Sequence, residues 1–199
     1  MKLQRFSAYL CLLLLIPNLF GCAVKPVRKT APPGGYQVTD NKGADLTLSQ
    51  KPQRIVSLTI ASDEILLELV PVSRIAALTY LVDNPAISNA TESARQVPAK
   101  IRASVEAVIA MQPDLVLAPD WLPEELSRTL RDTGLNVYVF TAGQSIAEVR
   151  QNIRDIAQAV GEPGKGEEIL ARMDATLREV AEKTEKIPAQ KRPIVARVT

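Results

Sequence analysis

Histidine is missing from all 199 residues. Without an imidazole there is no Ser-His-Asp or Cys-His arrangement, no histidine zinc site and no histidine axial ligand for haem. Cysteine is nearly missing as well: Cys11 and Cys22 are the two, both within the first 22 residues. Aromatic residues make up 4% of the chain, with a single tryptophan. No Gly-rich phosphate loop follows a strand pattern. The acidic pairs Asp63-Glu64 and Glu124-Glu125 are adjacent in sequence, so on a helix they point in different directions. They read as solvated or first-turn charges favoured by the helix dipole. An enzyme has little support, and no resident cofactor or metal is expected.

Charge excludes a second class. The net charge is +2, and Lys2 and Arg5 are the only charged residues before position 22. The remainder is balanced, so neither a nucleic-acid surface nor a polybasic membrane surface is expected. Lys2 and Arg5 form a positive n-region, Tyr9 to Ile16 an apolar h-region, and Leu19-Phe20-Gly21-Cys22 a lipobox-like end. Residues 1–21 therefore read as a signal peptide, leaving Cys22 as the lipidated N-terminus by similarity to bacterial lipoproteins. An uncleaved anchor is the other reading, but Pro17 and Asn18 break a run already short for a span. Residues 22–35, rich in Pro and Gly, read as a tether.

What remains alternates between strand and helix patterns. Tyr36–Asp40 and Ala44–Leu48 flank a turn at Asn41-Lys42-Gly43. Arg54–Leu58 is a buried strand, Ser62–Val70 a helix and Arg74–Leu78 a second strand. Thr79–Arg102 is long, polar and irregular, as functional or mobile loops are. A helix over Pro123–Asp132 stops at Gly134, and Asn136–Phe140 is a strand. Ser145 and Glu148 form a capping box for a helix ending at Gly161. Lys165–Ile187 reads as one long helix with a stripe of Ile169, Met173, Leu177 and Val180. Pro188 stops it, and Ile194–Val198 reads as a fresh strand.

The centre of the pattern is Ser104–Ala118. Ser104 is a natural N-cap, and Val105, Val108, Ile109 and Met111 share a helical side. Pro113 ends that helix, and Leu115–Ala118 is apolar throughout, as in a strand covered on both faces. Ligands of such sheets sit beyond the carboxyl ends of the strands. Three loops leave those ends: Thr59–Ser62, Thr79–Arg102 and Pro119–Leu122. Their candidate contacts are Tyr80, Lys100, Arg102 and Trp121. Trp121 offers a flat apolar face, and equally fits a packing role over the domain edge. Lys100 and Arg102 offer positive charge, and equally fit solvated loop positions.

The run Ser104-x-Glu106-x-x-x-Ala110-x-x-Pro113-Asp114-Leu115-Val116-x-Ala118 resembles the N-lobe signature of periplasmic substrate-binding proteins. Those proteins feed ABC importers of ferric siderophores, haem and cobalamin. Arg54–Leu58, Ser62–Ile65, Asp83-Asn84-Pro85 and Gly134–Phe140 resemble them too. The resemblance implies an α/β, parallel-sheet, Rossmann-like N-lobe over residues 36–163, a linker helix over 164–188 and a stub of a second lobe over 189–199. It implies that a metal-chelate or corrinoid ligand is held between lobes, that Lys100 faces it, and that no chemistry is done on it. It also implies that Glu106 docks to ABC permease subunits, with Glu64 a second candidate, while the Cys22 lipid holds the protein to the membrane. With the second lobe absent, the alternative is an isolated lobe acting as an interaction module or a non-functional remnant.

Overall fold

The computed structural model describes residues 31–188 and Lys191. Residues 1–30, Cys22 among them, and the strand expected over Ile194–Val198 lie outside the described residues. Five parallel strands form one sheet: β3 (Ile55–Ser57), β4 (Ile75–Thr79), β5 (Lys100–Ile101), β6 (Leu115–Pro119) and β7 (Val137–Phe140). Their spatial order is β5-β4-β3-β6-β7. The chain thus starts at the centre, steps outward twice, then crosses back and builds the other side. Strands that reverse direction of growth in this way leave a crevice at the carboxyl ends of the two central strands, here β3 and β6.

The sheet is buried on both faces, which is why its strands are apolar without alternation. Ile55, Leu115, Leu117, Tyr138 and Phe140 pack on one face with α1 (Ile60–Leu69), α5 (Ile146–Ala159) and the long α6 (Pro163–Glu185). Val56, Val116, Ala118, Val137 and Val139 pack on the other with α3 (Val105–Ala110) and α4 (Glu124–Asp132). A short helix α2 (Thr91–Ala94) lies in the segment between β4 and β5. The expected hairpin is β1 (Tyr36–Thr39) with β2 (Asp45–Leu48), and it packs Val38, Leu46 and Leu48 onto the first face.

The Pro-Asp break shows why that pair of residues is needed. Gln112 adopts φ +48°, a left-handed angle that ends the helix just before Pro113. Asp114 then accepts from the backbone N–H groups of Gln53 (2.6 Å) and Arg54 (2.9 Å), fixing the start of β3 beside β6. The Arg54 guanidinium donates to the carbonyls of Met111 and Gln112 and so closes the C-terminus of α3. Ser104 Oγ accepts from Ala107 N–H as expected. The expected apolar side is incomplete, since Ile109 is exposed while Val108 is fully buried.

Two buried charges hold the periphery. Asp40 accepts from the N–H groups of Lys42, Ala44 and Val139 and pairs with Arg131 at 2.6 Å, while Asn41 N–H donates to Val139 O, so the open edge of β7 is closed by side chains and the hairpin turn together. Arg74, expected inside a strand, sits in a 3-10 turn and donates to Pro52 O, Val160 O and Glu162. Partial burial alone would raise the Glu162 pKa, but hydrogen bonds from Lys51 and Arg74 outweigh it and hold the carboxyl below its usual range.

The long helix begins at Pro163 rather than Lys165. It crosses α5 where Gly166 faces Ala157, and a Cβ at Gly166 would lie 2.6 Å from the Ala157 Cβ. Arg154–Glu167 and Arg150–Asp174 tie the two helices as they run antiparallel. With 23 residues against 14, α6 is the longer by about 13 Å at 1.5 Å per residue. Ile169, Met173 and Leu177 are half-buried as the stripe requires, but Val180 is 50% exposed. The last turns therefore project past the C-terminal edge of the sheet. Pro32 to Gly35 does not extend as a tether: Gly35 N–H donates to Pro32 O, and the turn packs on the end of β2.

Asp114→Ala removes two charge-assisted hydrogen bonds at the sheet centre. It is expected to destabilise the fold by about 2–4 kcal/mol in urea unfolding. A change below about 0.5 kcal/mol would contradict this role.

Candidate functional site

All five strands end on one edge, and the expected contact residues lie along it. Arg102 follows β5, Tyr80 follows β4, Thr59 follows β3, and Asp120 and Trp121 follow or end at β6. With strands about 4.8 Å apart, the row from Arg102 to Trp121 spans roughly 15 Å. Trp121 is 62% exposed and Tyr80 39% exposed, so both rings face solvent rather than the core. Ile87 and Ile146, on segments leaving the same edge, are exposed as well. Apolar groups gathered on a single edge mark a contact surface.

Tyr80 and Arg102 come together. The Arg102 guanidinium carbon lies 3.7 Å from the Tyr80 ring centroid, a cation–π stack at an exposed arginine. Lys100 is placed differently. Its ammonium donates to Ala94 O (2.9 Å) and Val97 O (2.8 Å) and lies 3.7 Å from Asp83. It caps α2 from beneath, with its donors directed at protein rather than at an incoming anion.

The segment from Thr79 to Arg102 is not irregular throughout. It holds a 3-10 turn over Tyr80–Asp83, then α2 and β5, and it buries Val82, Ala94 and Val97. Two acids pin it. Asp63 is fully buried, not solvated, and accepts from Thr79 N–H at 3.1 Å. Glu64 accepts from Asn89 N–H (2.8 Å) and Ser88 Oγ, so its carboxylate is engaged within the lobe. The loop after β3 is equally tight: α1 starts at Ile60, and Ser57 and Ser62 share a 2.6 Å hydrogen bond beneath it. The sequence read the pair as solvated or first-turn charges, with Glu64 a second docking candidate, and gave no sign of these bonds because the partners lie 16 and 25 positions away.

Glu106 stands in the first turn of α3, exposed, with no ion pair among the described residues. Helices of this sheet start at the edge where strands end, so Glu106 is on the same edge as Trp121. Glu124 and Glu125 begin α4 there and pair with Arg128. Glu148 begins α5 and accepts from Gln144 N–H while Ser145 Oγ accepts from Glu148 N–H, completing the capping box one residue early. Among the described residues no cluster of acids or cysteines could hold a bare metal ion.

Burial raises the Asp63 pKa from 3.8 to about 8, against the opposing pull of the Ser57 and Thr79 hydrogen bonds and of Lys100. The folded state therefore binds one more proton than the unfolded state between about pH 4 and pH 8, and stability falls as pH rises through that window. Asp63→Asn keeps the acceptor for Thr79 and removes the titration. It should match the parent near pH 4 and exceed it at pH 8 by at least about 2 kcal/mol. Urea midpoints at the two pH values measure this, and parallel pH dependences would refute it.

The geometry meets its comparisons here. Residues 55–198 match the periplasmic binding protein family. An ABC transporter substrate-binding lipoprotein of Bacillus subtilis, itself uncharacterized, is 28% identical over 153 residues, covering 75% of this chain and 48% of that protein. A cobalamin-binding protein of Halobacterium salinarum is 32% identical over 128 residues, 61% of this chain and 33% of its own length. The crystal structure of the heme binding protein HmuT superposes with a TM-score of 0.63 at 25% identity, over 83% of this chain and 54% of that one. The chain spans about half or less of the length of these relatives. With the family match covering residues 55–198, most of the sequence, this chain belongs to the periplasmic binding protein family.

Proposed function

We propose that the chain acts as the N-terminal lobe of an exported, lipid-anchored substrate-binding component of an ABC importer, carrying a ferric siderophore or a cobalamin-like chelate. The observation that carries this reading is the alignment of Arg102, Tyr80 and Trp121 along one strand edge, beside the crevice between β3 and β6. A flat indole and a stacked phenol–guanidinium pair suit a broad, rigid ligand whose rim bears polar groups. The names of the relatives, cobalamin-binding and heme binding, support the same ligand size. Lipidation at Cys22, the location outside the cytoplasm and the permease partner rest on the resemblance and on the Bacillus lipoprotein.

The projecting end of α6 supports a two-lobed arrangement, since it reaches past the edge on which the ligand would lie. Pinning of the Tyr80–Arg102 segment by Asp63, Glu64 and Lys100 means little ordering cost on binding. Glu106, exposed and unpaired beside that edge, is assigned to docking on cationic groups of the permease. Such a contact fixes register and speeds encounter more than it adds affinity.

Trp121 is the only tryptophan, so its emission reports ligand directly. Titration with a ferric siderophore, ferric haem and cyanocobalamin should give saturable quenching with at least one of the three. Trp121→Tyr should weaken that ligand about tenfold, read by its own absorbance. No saturable binding of any of the three would overturn the reading. Glu106→Arg should leave ligand affinity unchanged and lower ligand uptake in cells at least about tenfold. Uptake unchanged by Glu106→Arg would remove the docking assignment.

A further inference from the structure

A groove of about 530 Å³ lies on the outer flank of the lobe, between α4, the end of β6 and the hairpin turn. Its floor is apolar, made by Pro119, Leu122 and Val139. Its walls are charged with opposite signs at opposite ends. Asp120 and Glu124 stand where α4 begins, while Lys42 and Arg131 stand toward its far end. Glu124 and Arg131 are seven positions apart, about 10 Å along a helix axis. Midway between them is Ser127, 6% exposed, lining the groove. Its hydroxyl makes no hydrogen bond to the protein, although a helical serine this buried ordinarily bonds back to the preceding turn. A hydroxyl so placed is a donor and acceptor held ready for something in the groove. Lys42 is exposed and forms no ion pair among the described residues.

We propose that this groove is a second binding site, adjoining the crevice edge at Asp120 and Glu124, for a short zwitterionic peptide of about three residues. An extended tripeptide is about 10 Å long, at 3.3 to 3.6 Å per residue, which matches the distance between the two charged ends. Its ammonium end faces Asp120 and Glu124, the latter shared with Arg128, and its carboxylate faces Lys42 and the Arg131 donors that Asp40 and Val137 O leave over. Ser127 meets its backbone in the middle. A single α-amino acid is too short to reach both ends, and a simple anion would meet the two carboxylates. The loop Pro119–Leu122 contributes Asp120 and Leu122 to this groove and Trp121 to the crevice edge, so occupancy of the groove is read by the one indole.

The test titrates the purified 199-residue chain with trialanine at pH 7, following Trp121 emission and the heat of binding, with N-acetyl-trialanine amide as the uncharged probe. Saturable binding of trialanine, and at least tenfold weaker binding of the blocked peptide, are expected. Ser127→Ala should weaken trialanine about fivefold while leaving the melting temperature unchanged, because the hydroxyl opens to the groove and bonds to no other group among the described residues. Lys42→Gln and Glu124→Gln should each weaken it about threefold to tenfold, and Arg102→Gln should leave it unchanged. No saturable signal at 10 mM (about 10 mM being far weaker than a built site gives), equal binding of the blocked peptide, or indifference to Ser127→Ala would each overturn the proposal. Chelate binding at the crevice edge uses other residues and other probes, so either site can fail alone.

Discussion

The lateral contact between β3 and β6 decides where every side chain of interest ends up. Ile55, Val56 and Ser57 pair with Leu115, Val116 and Leu117, and these are the strands with helices on both faces. Asp114 clamps their start by accepting from Gln53 and Arg54, and it does so one residue before β6 begins. A slip of one residue would turn Val56 and Val116 to the opposite face, at about 1.5–3 kcal/mol for each misplaced aliphatic side chain. Once this register holds, β4 and β5 stack on one side and β7 on the other. All five carboxyl ends then share an edge.

That edge combines two kinds of group for different reasons. Strand ends deliver Tyr80, Arg102 and Trp121. Helix starts deliver Glu106, Glu124, Glu125 and Glu148, because acids in a first turn are stabilised by the helix dipole. Local helix stability and an acidic edge thus follow from the same topology. Glu64 begins a helix too, but its carboxylate turns inward onto Asn89 and serves the loop.

Much of this was legible from periodicity and punctuation. The αβ unit from Ser104 to Ala118, the capping box at Ser145, the stop at Gly134 and the long helix are local signals, each readable within one element. The readings that failed depend on partners outside the element being read. Asp63 and Glu64 looked like solvated neighbours, yet one lies under Thr79 and the other beneath Asn89. Lys100 looked like a free cation, yet carbonyls of the preceding turn surround it. β5 has two residues, below the length at which alternation can be seen. Asp40 and Arg74 gave no signal, since their partners Arg131 and Glu162 lie 91 and 88 positions away. Of the four expected ligand contacts, three keep exposed, outward-facing groups. The fourth builds the platform beneath them.

The central claim is that the segment carrying Tyr80 is held in place by Asp63 and Glu64 before any ligand arrives. Native-state hydrogen exchange on the ligand-free protein measures it at two amides, Thr79 and Asn89, which donate to those two carboxyl groups. The account predicts exchange at both at least about a hundredfold slower than in an unfolded chain. Exchange at the unfolded rate at both amides would mean that the edge is ordered only when ligand binds, and would contradict it.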